Sequence, residues 1–253
     1  MSWCRAIFLL GPLIYAYTVV LGSLSLLLSL GDRSGRAQHG CARLWARLIL
    51  RTTLSPVTVS SEAAALDMSL PRVFAANHIS ALDIPVLYAH LPGQFRILAK
   101  RELFRYPFLG WHLRRSGQLP IDQDNSTSAL RSLRKAVDTL NRGMPLVIFP
   151  EGGRSENGQV QPFMSGAFYL AIKAQVEVVP VAIVGTYEVL PMKHFHIHPG
   201  PIRLVWGQPI STAGMSLRDI EKLSQRVQQA IEGMYYKYSQ VPDPAKAAAQ
   251  TAI

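Results

Sequence analysis

The chain has 253 residues, 49% of them hydrophobic, enough to bury a full core in one large domain. Lysine and arginine total 26 against 16 acids, a net charge of +10 and a pI near 9.9, which favours anionic partners: nucleic acid, an acidic membrane surface or phosphorylated substrates. Two cysteines, Cys4 and Cys41, exclude a disulfide framework and lack metal-ligand spacing, so a reducing compartment is the simpler reading.

No charged residue lies between Arg5 and Asp32. As a helix this stretch would reach roughly 39 Å, against a hydrocarbon core of about 30 Å, so it can span with tilt. Gly11-Pro12 can instead kink it into a bent, one-leaflet anchor. A cleaved signal peptide fits less well, because the run is long and no clear cleavage site follows. Membrane attachment is the expectation, with the arginines that crowd after the apolar run placing the remainder on the cytoplasmic side.

Arg43, Arg47 and Arg51 recur every four residues and form one basic stripe, with Leu44, Trp45, Leu48 and Ile49 on neighbouring and opposite faces. The pattern predicts a helix in the bilayer interface with its arginines toward lipid phosphates. The alternative is an amphipathic helix that covers a sheet.

From Pro56 short apolar runs alternate with helical segments. Val57–Val59, Val73–Ala76, Phe95–Ala99, Leu119–Ile121, Leu146–Phe149, Val178–Val184 and Ile202–Val205 read as strands. Pro85–His90, Pro107–Arg115, Ser128–Asn141, Ser165–Gln175 and Leu217–Tyr238 read as helices. Such alternation predicts an α/β fold, a sheet covered by helices on its faces. The expected organisation is a membrane-anchor segment over 1–54, an α/β domain over 55–240, and an Ala-rich loose tail over 241–253.

The first chemical signal is Asn77-His78-Ile79-Ser80-Ala81-Leu82-Asp83, a histidine five residues ahead of an aspartate. In one ideal helix those side chains would point about 140° apart, so they meet only if the chain bends between them. The bend is expected where the strand Val73–Ala76 gives way to a helix. Asp83 as N-cap puts Pro85 in the first turn, where its missing N–H costs little; a Ser80-x-x-Asp83 capping box would put it too deep. His78 then folds back toward Asp83 as a base with its orienting carboxylate. The bland alternative is a chance pair in which Asp83 only caps a helix.

Lys100 and Arg101 follow a strand, where open α/β sheets place ligands, although they also suit a solvated helix face together with Arg105. In Phe149-Pro150-Glu151-Gly152-Gly153-Arg154-Ser155 a buried strand runs into a glycine pair that lets a ligand approach the backbone. Arg154 offers a planar fork for a phosphate, and Glu151 would fix Arg154 or accept from a neutral hydroxyl. The spacing is not that of a P-loop. Pro180 suggests an edge or irregular position for Val178–Val184. His194, His196 and His198 alternate, as on one face of a strand, but no carboxylate or cysteine accompanies them as metal ligand.

Asn77-His78-x-Ser80-x-x-Asp83, Lys100…Pro107-x-x-Gly110, Phe149-Pro150-Glu151-Gly152-x-Arg154-Ser155 and Val179-Pro180-Val181 occur in this order. Together they resemble the four blocks of the glycerolipid acyltransferase family, most closely its bacterial lysophosphatidic acid acyltransferases, over roughly Pro56 to Pro209. The resemblance implies a mixed, mostly parallel β-sheet flanked by helices and a membrane-bound N-terminus, at a bacterial inner membrane. It implies transfer of a fatty acyl group to the hydroxyl of lysophosphatidic acid, giving phosphatidic acid. The acyl donor would be a co-substrate, acyl-CoA or acyl carrier protein, with no cofactor, no metal and no nucleic acid partner.

His78 and Asp83 would be catalytic, and Lys100, Arg101, Glu151, Gly152, Gly153 and Arg154 would bind acceptor phosphate and glycerol. Two positions depart from the pattern: Gly153 stands where the family often has Thr, and Gln123 where a basic residue is common. Glycerol-3-phosphate, another lysolipid or an amino-linked lipid is the alternative acceptor. A non-catalytic lipid-binding protein and a membrane-associated hydrolase are the competing classes. The first has no need of a base, and the second lacks a convincing serine or cysteine nucleophile, although water could take the place of the acceptor.

Overall fold

The computed structural model describes residues 10–62, 70–122, 126–194 and 196–244. Cys4, Gln123 and most of the Ala-rich tail lie outside these. Helices α1 (Gly11–Leu28) and α2 (Arg36–Thr52) precede seven strands: β1 (Val57–Ser61), β2 (Val73–Ala76), β3 (Arg96–Lys100), β4 (Leu119–Ile121), β5 (Leu146–Ile148), β6 (Val178–Val184) and β7 (Ile202–Trp206). Between the strands run α3 (Asp83–His90), α4 (Leu109–Arg115), α5 (Ser126–Asn141), α6 (Tyr169–Ala174) and α7 (Thr186–Val189), and α8 (Ile220–Tyr238) closes the fold.

The sheet order is β1-β7-β6-β2-β5-β3-β4, and among the described strands only β6 and β7 pair antiparallel. All seven expected strands are present. Their apolar runs are continuous because both faces of the central strands are covered. Alternation along β2 sends Phe74 and Ala76 to the side of α2 and α3, and Val73 and Ala75 to the side of α5, α6 and α8. Short 3₁₀ turns at Ser165–Phe168 and Leu217–Asp219 open segments that the sequence presents as continuous helices, and a third at Arg101–Arg105 follows β3 directly.

Several local expectations are corrected. Pro12 lies in the first turn of α1, where its missing N–H costs little, and Leu10 before it is already helical in its backbone angles. The expectation of a kink at Gly11-Pro12 thus turns on residues ahead of Leu10, which lie outside the described ones. Asp83 is the first helical residue of α3, after Leu82, and it does not act as the N-cap. Its side chain points back along the chain, as helical side chains do. Pro180 sits in an interior strand, opposite Ala75. Its carbonyl accepts from Gly207 N at 2.8 Å, so its missing donor faces β7 beyond that strand's last paired residue.

The basic stripe is also divided. Arg43 turns inward, donating through Nε to Tyr88 O at 3.2 Å and through Nη2 to Leu91 O, which satisfies carbonyls at the end of α3. Arg47 and Arg51 stay exposed. Ala42, Ala46, Ile49 and Leu50 of α2 join the core beside α3. Helix α1 lies against this body: Trp45 Nε1 donates to Thr18 Oγ1 at 2.9 Å, and Ser25 Oγ meets His112 Nδ1 at 2.8 Å. Its outer face is apolar and open, with Tyr15, Val20 and Leu27 each more than 60% exposed. Among the described residues α1 is the one helix long and apolar enough to cross a membrane.

Candidate active site

Strands β2, β5, β3 and β4 are parallel neighbours, so their carboxyl ends share one edge. His78 leaves β2 there, Glu151 to Arg154 leave β5, and Lys100 and Arg101 end β3. Register aligns Ala75 with Ile148 and Ile97 with Val147. Extended two or three residues, it brings His78, Glu151 and Lys100 to one level on strands spaced about 4.8 Å apart.

His78 Nδ1 lies 2.8 Å from Asp83 Oδ2, and Asp83 is fully buried. The same oxygen accepts from Ile79 N at 2.7 Å and Ser80 N at 2.9 Å, so the turn between strand and helix wraps around the carboxylate. Oδ1 accepts from Thr186 Oγ1 at 2.7 Å. Four donors on an acceptor-only group hold it without freedom to rotate. With Nδ1 given to Asp83, the imidazole presents Nε2 as its basic nitrogen. The ring stacks on Phe149 at 4.1 Å between centroids, which fixes its plane.

Glu151 has a bracing position. Oε1 accepts from His78 N at 2.6 Å and Oε2 from Gln161 N at 2.9 Å, while Ser155 N donates to His78 O at 2.9 Å. The β5 loop therefore grips the His78 backbone from both sides, and Glu151 makes no ion pair with Arg154, contrary to one expectation. Burial pushes the Glu151 carboxyl up to about 8, against the lowering effect of the Gln161 and His78 amides, and the nearby Asp83 raises it further.

Arg154 and Lys100 are exposed. Arg101 is held by Asp122, with Nε 3.3 Å from Oδ2, and by Ser128, so its guanidinium already has partners. Gly152 has φ of +74°, a conformation that favours glycine; Gly153 does not, and a Cβ there meets nothing within 4 Å. Gly152 thus needs glycine for its conformation, whereas position 153 has room for a β-carbon.

Three supporting residues went unassigned in the sequence reading. Thr186 sits just after Gly185, whose φ of +93° and close approach to Pro201 O leave no room for a side chain. Asn77 exchanges two hydrogen bonds with the Ile183 backbone, at 2.9 and 2.7 Å, tying the end of β2 to β6. Ser80 Oγ donates to Leu190 O at 2.7 Å. A polar residue beside a strand's terminal glycine was the available signal for Thr186, but its partner lies in another block. His196 and His198 stand 4.5 Å apart ring to ring outside any strand, and no cluster of metal-ligating groups occurs among the described residues.

Residues 57–184 match the Acyltransferase family model. The chain belongs to this acyltransferase family. A 1-acyl-sn-glycerol-3-phosphate acyltransferase of Chlamydomonas reinhardtii is 35% identical over 170 residues, covering 67% of this chain and 51% of that protein. The human 1-acyl-sn-glycerol-3-phosphate acyltransferase alpha is 30% identical over 172 residues, 68% of this chain and 61% of its own. The match thus spans roughly half to three-fifths of the length of these relatives. The crystal structure of the 1-acyl-sn-glycerophosphate (LPA) acyltransferase PlsC from Thermotoga maritima superposes with a TM-score of 0.72 at 27% identity, covering 90% of this chain and 95% of that one. The acyltransferase fold, a mixed and mostly parallel sheet between helices, is therefore shared along nearly the whole chain.

Proposed function

We propose that this acyltransferase moves a fatty acyl group from acyl-CoA or acyl carrier protein to the free hydroxyl of lysophosphatidic acid. The observation that carries this reading is the His78–Asp83 pair, with Nδ1 committed to a buried carboxylate, at the sheet edge from which Lys100 and the loop of Arg154 also leave. Nε2 accepts the proton of the acceptor hydroxyl as its oxygen attacks the thioester carbonyl. Asp83 stabilises the imidazolium that forms and keeps its tautomer. The tetrahedral intermediate then expels the thiolate, which takes the proton from His78. No acyl-enzyme is needed. Arg154 and Lys100 hold the acceptor phosphate; Arg101, Glu151 and Gly152 shape the loops around it. The names of the relatives support lysophosphatidic acid as acceptor.

Residues 1–54 serve as the membrane anchor of a domain over 55–240, on the cytoplasmic face of a bacterial inner membrane. The open apolar face of α1 supports this, and its packing along α2, which exposes Arg47 and Arg51, supports a helix lying in one leaflet. The test is a detergent-purified enzyme given acyl-CoA or acyl carrier protein against lysophosphatidic acid, glycerol-3-phosphate, other lysolipids and monoacylglycerol. Preferential transfer to lysophosphatidic acid is expected. Thioester hydrolysis that no acceptor accelerates would overturn the reading.

A further inference from the structure

Beyond the N-terminal anchor, the segment from Leu103 to Arg115 presents a second apolar surface. Leu103, Tyr106, Phe108, Leu109 and Trp111 are all exposed, Phe108 by 63%. Isolated exposed apolar residues are ordinary, but a contiguous aromatic cluster marks an interaction surface. Phe108 and Trp111 touch, with centroids 5.3 Å apart. Phe108 also has φ of +58°, a costly conformation for a bulky residue, and the backbone adopts it while leaving the ring in the open. Gly110 makes the turn possible: a Cβ there would lie 2.2 Å from Phe104 O. The segment is built to hold these side chains outward.

Its neighbour identifies the partner. Trp111, Arg114 and Arg115 line a groove of about 340 Å³ with Leu26, Ser29 and Leu30 at the end of α1. The Ser25–His112 hydrogen bond fixes α4 at that level. The aromatic patch therefore continues the apolar face of α1 at its last turns, just before Asp32 and Arg33 end the uncharged stretch. Tryptophan and other amphipathic rings at that depth, with arginines beside them, form the pattern that membrane proteins place at the headgroup boundary. The charge agrees: from residue 101 to 115 there are four arginines and one acid, Glu102.

We infer that Leu103–Arg115 is a second bilayer contact, inserting Phe108 and Trp111 into an anionic lipid surface. This rests on the membrane reading of α1 and deepens it. The contact lies directly after Lys100, so it would seat the carboxyl edge of β3 against the surface from which a lysolipid acceptor comes.

The test uses the full chain with Cys4 and Cys41 changed to Ser and an environment-sensitive fluorophore on one new cysteine: Phe108→Cys, Trp111→Cys, Val20→Cys on the open face of α1, or Lys222→Cys on the distant helix α8. With phosphatidylglycerol vesicles, labels at 108 and 111 should shift to the blue and lose most of their quenching by aqueous iodide, as at 20, while 222 stays accessible. Arg115→Gln should lower affinity for these vesicles roughly fivefold and leave binding to phosphatidylcholine vesicles little changed. If 20 is protected but 108 and 111 behave like 222, this inference falls and the α1 anchor stands. If none is protected, both fall. Protection at 108 and 111 that appears in detergent without lipid and grows with protein concentration would assign the surface to a second copy of the chain and overturn the lipid assignment.

Discussion

Thr186 Oγ1 donates to Asp83 Oδ1 at 2.7 Å across 103 positions of sequence, on the oxygen that His78 leaves free. The proposed base is therefore held at second hand from the far side of the sheet's centre. Thr186→Val should keep the fold and lower kcat about tenfold, the effect of one bond to a charged group, with both KM values nearly unchanged. Thr186→Ser should recover most of the loss. Steady-state kinetics of the two variants check this, and equal damage in both would assign Thr186 to packing.

His78→Ala should abolish transfer, by on the order of a hundred- to ten-thousandfold, in a protein that still folds. Asp83→Asn should impair turnover through a wrong tautomer and affect acceptor binding less. Circular dichroism beside the transfer assay separates lost chemistry from lost structure. Near-normal turnover in His78→Ala would end the catalytic assignment.

Arg154→Ala should raise the acceptor KM roughly ten- to a hundredfold while sparing the donor KM. Arg154→Lys should recover only part, because an ammonium keeps the charge but not the paired donors. The decisive comparison is lysophosphatidic acid against monoacylglycerol. An unchanged preference in Arg154→Ala would show that another group holds the phosphate.

Glu151 couples stability to pH. Its carboxyl rises from 4.5 to about 8 on folding, so between these values the folded state binds more protons than the unfolded chain. Its contribution is thus fully present below about 4.5 and lost as pH rises through about 8. Urea midpoints across this range should fall toward alkaline pH. Glu151→Gln should flatten that dependence and lower stability by about 1–3 kcal/mol, since an amide cannot accept from both backbone N–H groups through its two ends.

Arg43→Gln should destabilise the fold, by about 1–3 kcal/mol, because it leaves carbonyls at the end of α3 without their donor. Arg47→Gln and Arg51→Gln, on exposed positions of the same stripe, should leave the thermal midpoint nearly unchanged and weaken only salt-sensitive membrane binding. Thermal melts and vesicle sedimentation at two ionic strengths distinguish the pair from Arg43.

Seven strands were legible in the sequence because their signals are short-range: runs of apolar, often β-branched residues broken by Gly, Pro and charge. The His78–Asp83 encounter was legible for the same reason, since five residues and one bend suffice to bring the pair together. Strand order was not, because a parallel strand can pair with any other and the choice rests on contacts between distant segments. The fate of polar groups followed that choice. Arg43 faces α3 because helix packing buried its side of α2, Glu151 braces His78 because β5 lies beside β2, and Thr186 reaches Asp83 because β6 runs along the other side of β2. Sequence supplied the chemical groups and their local bends, and the tertiary structure chose their partners, because a hydrogen bond is decided by a few ångströms that no local pattern encodes.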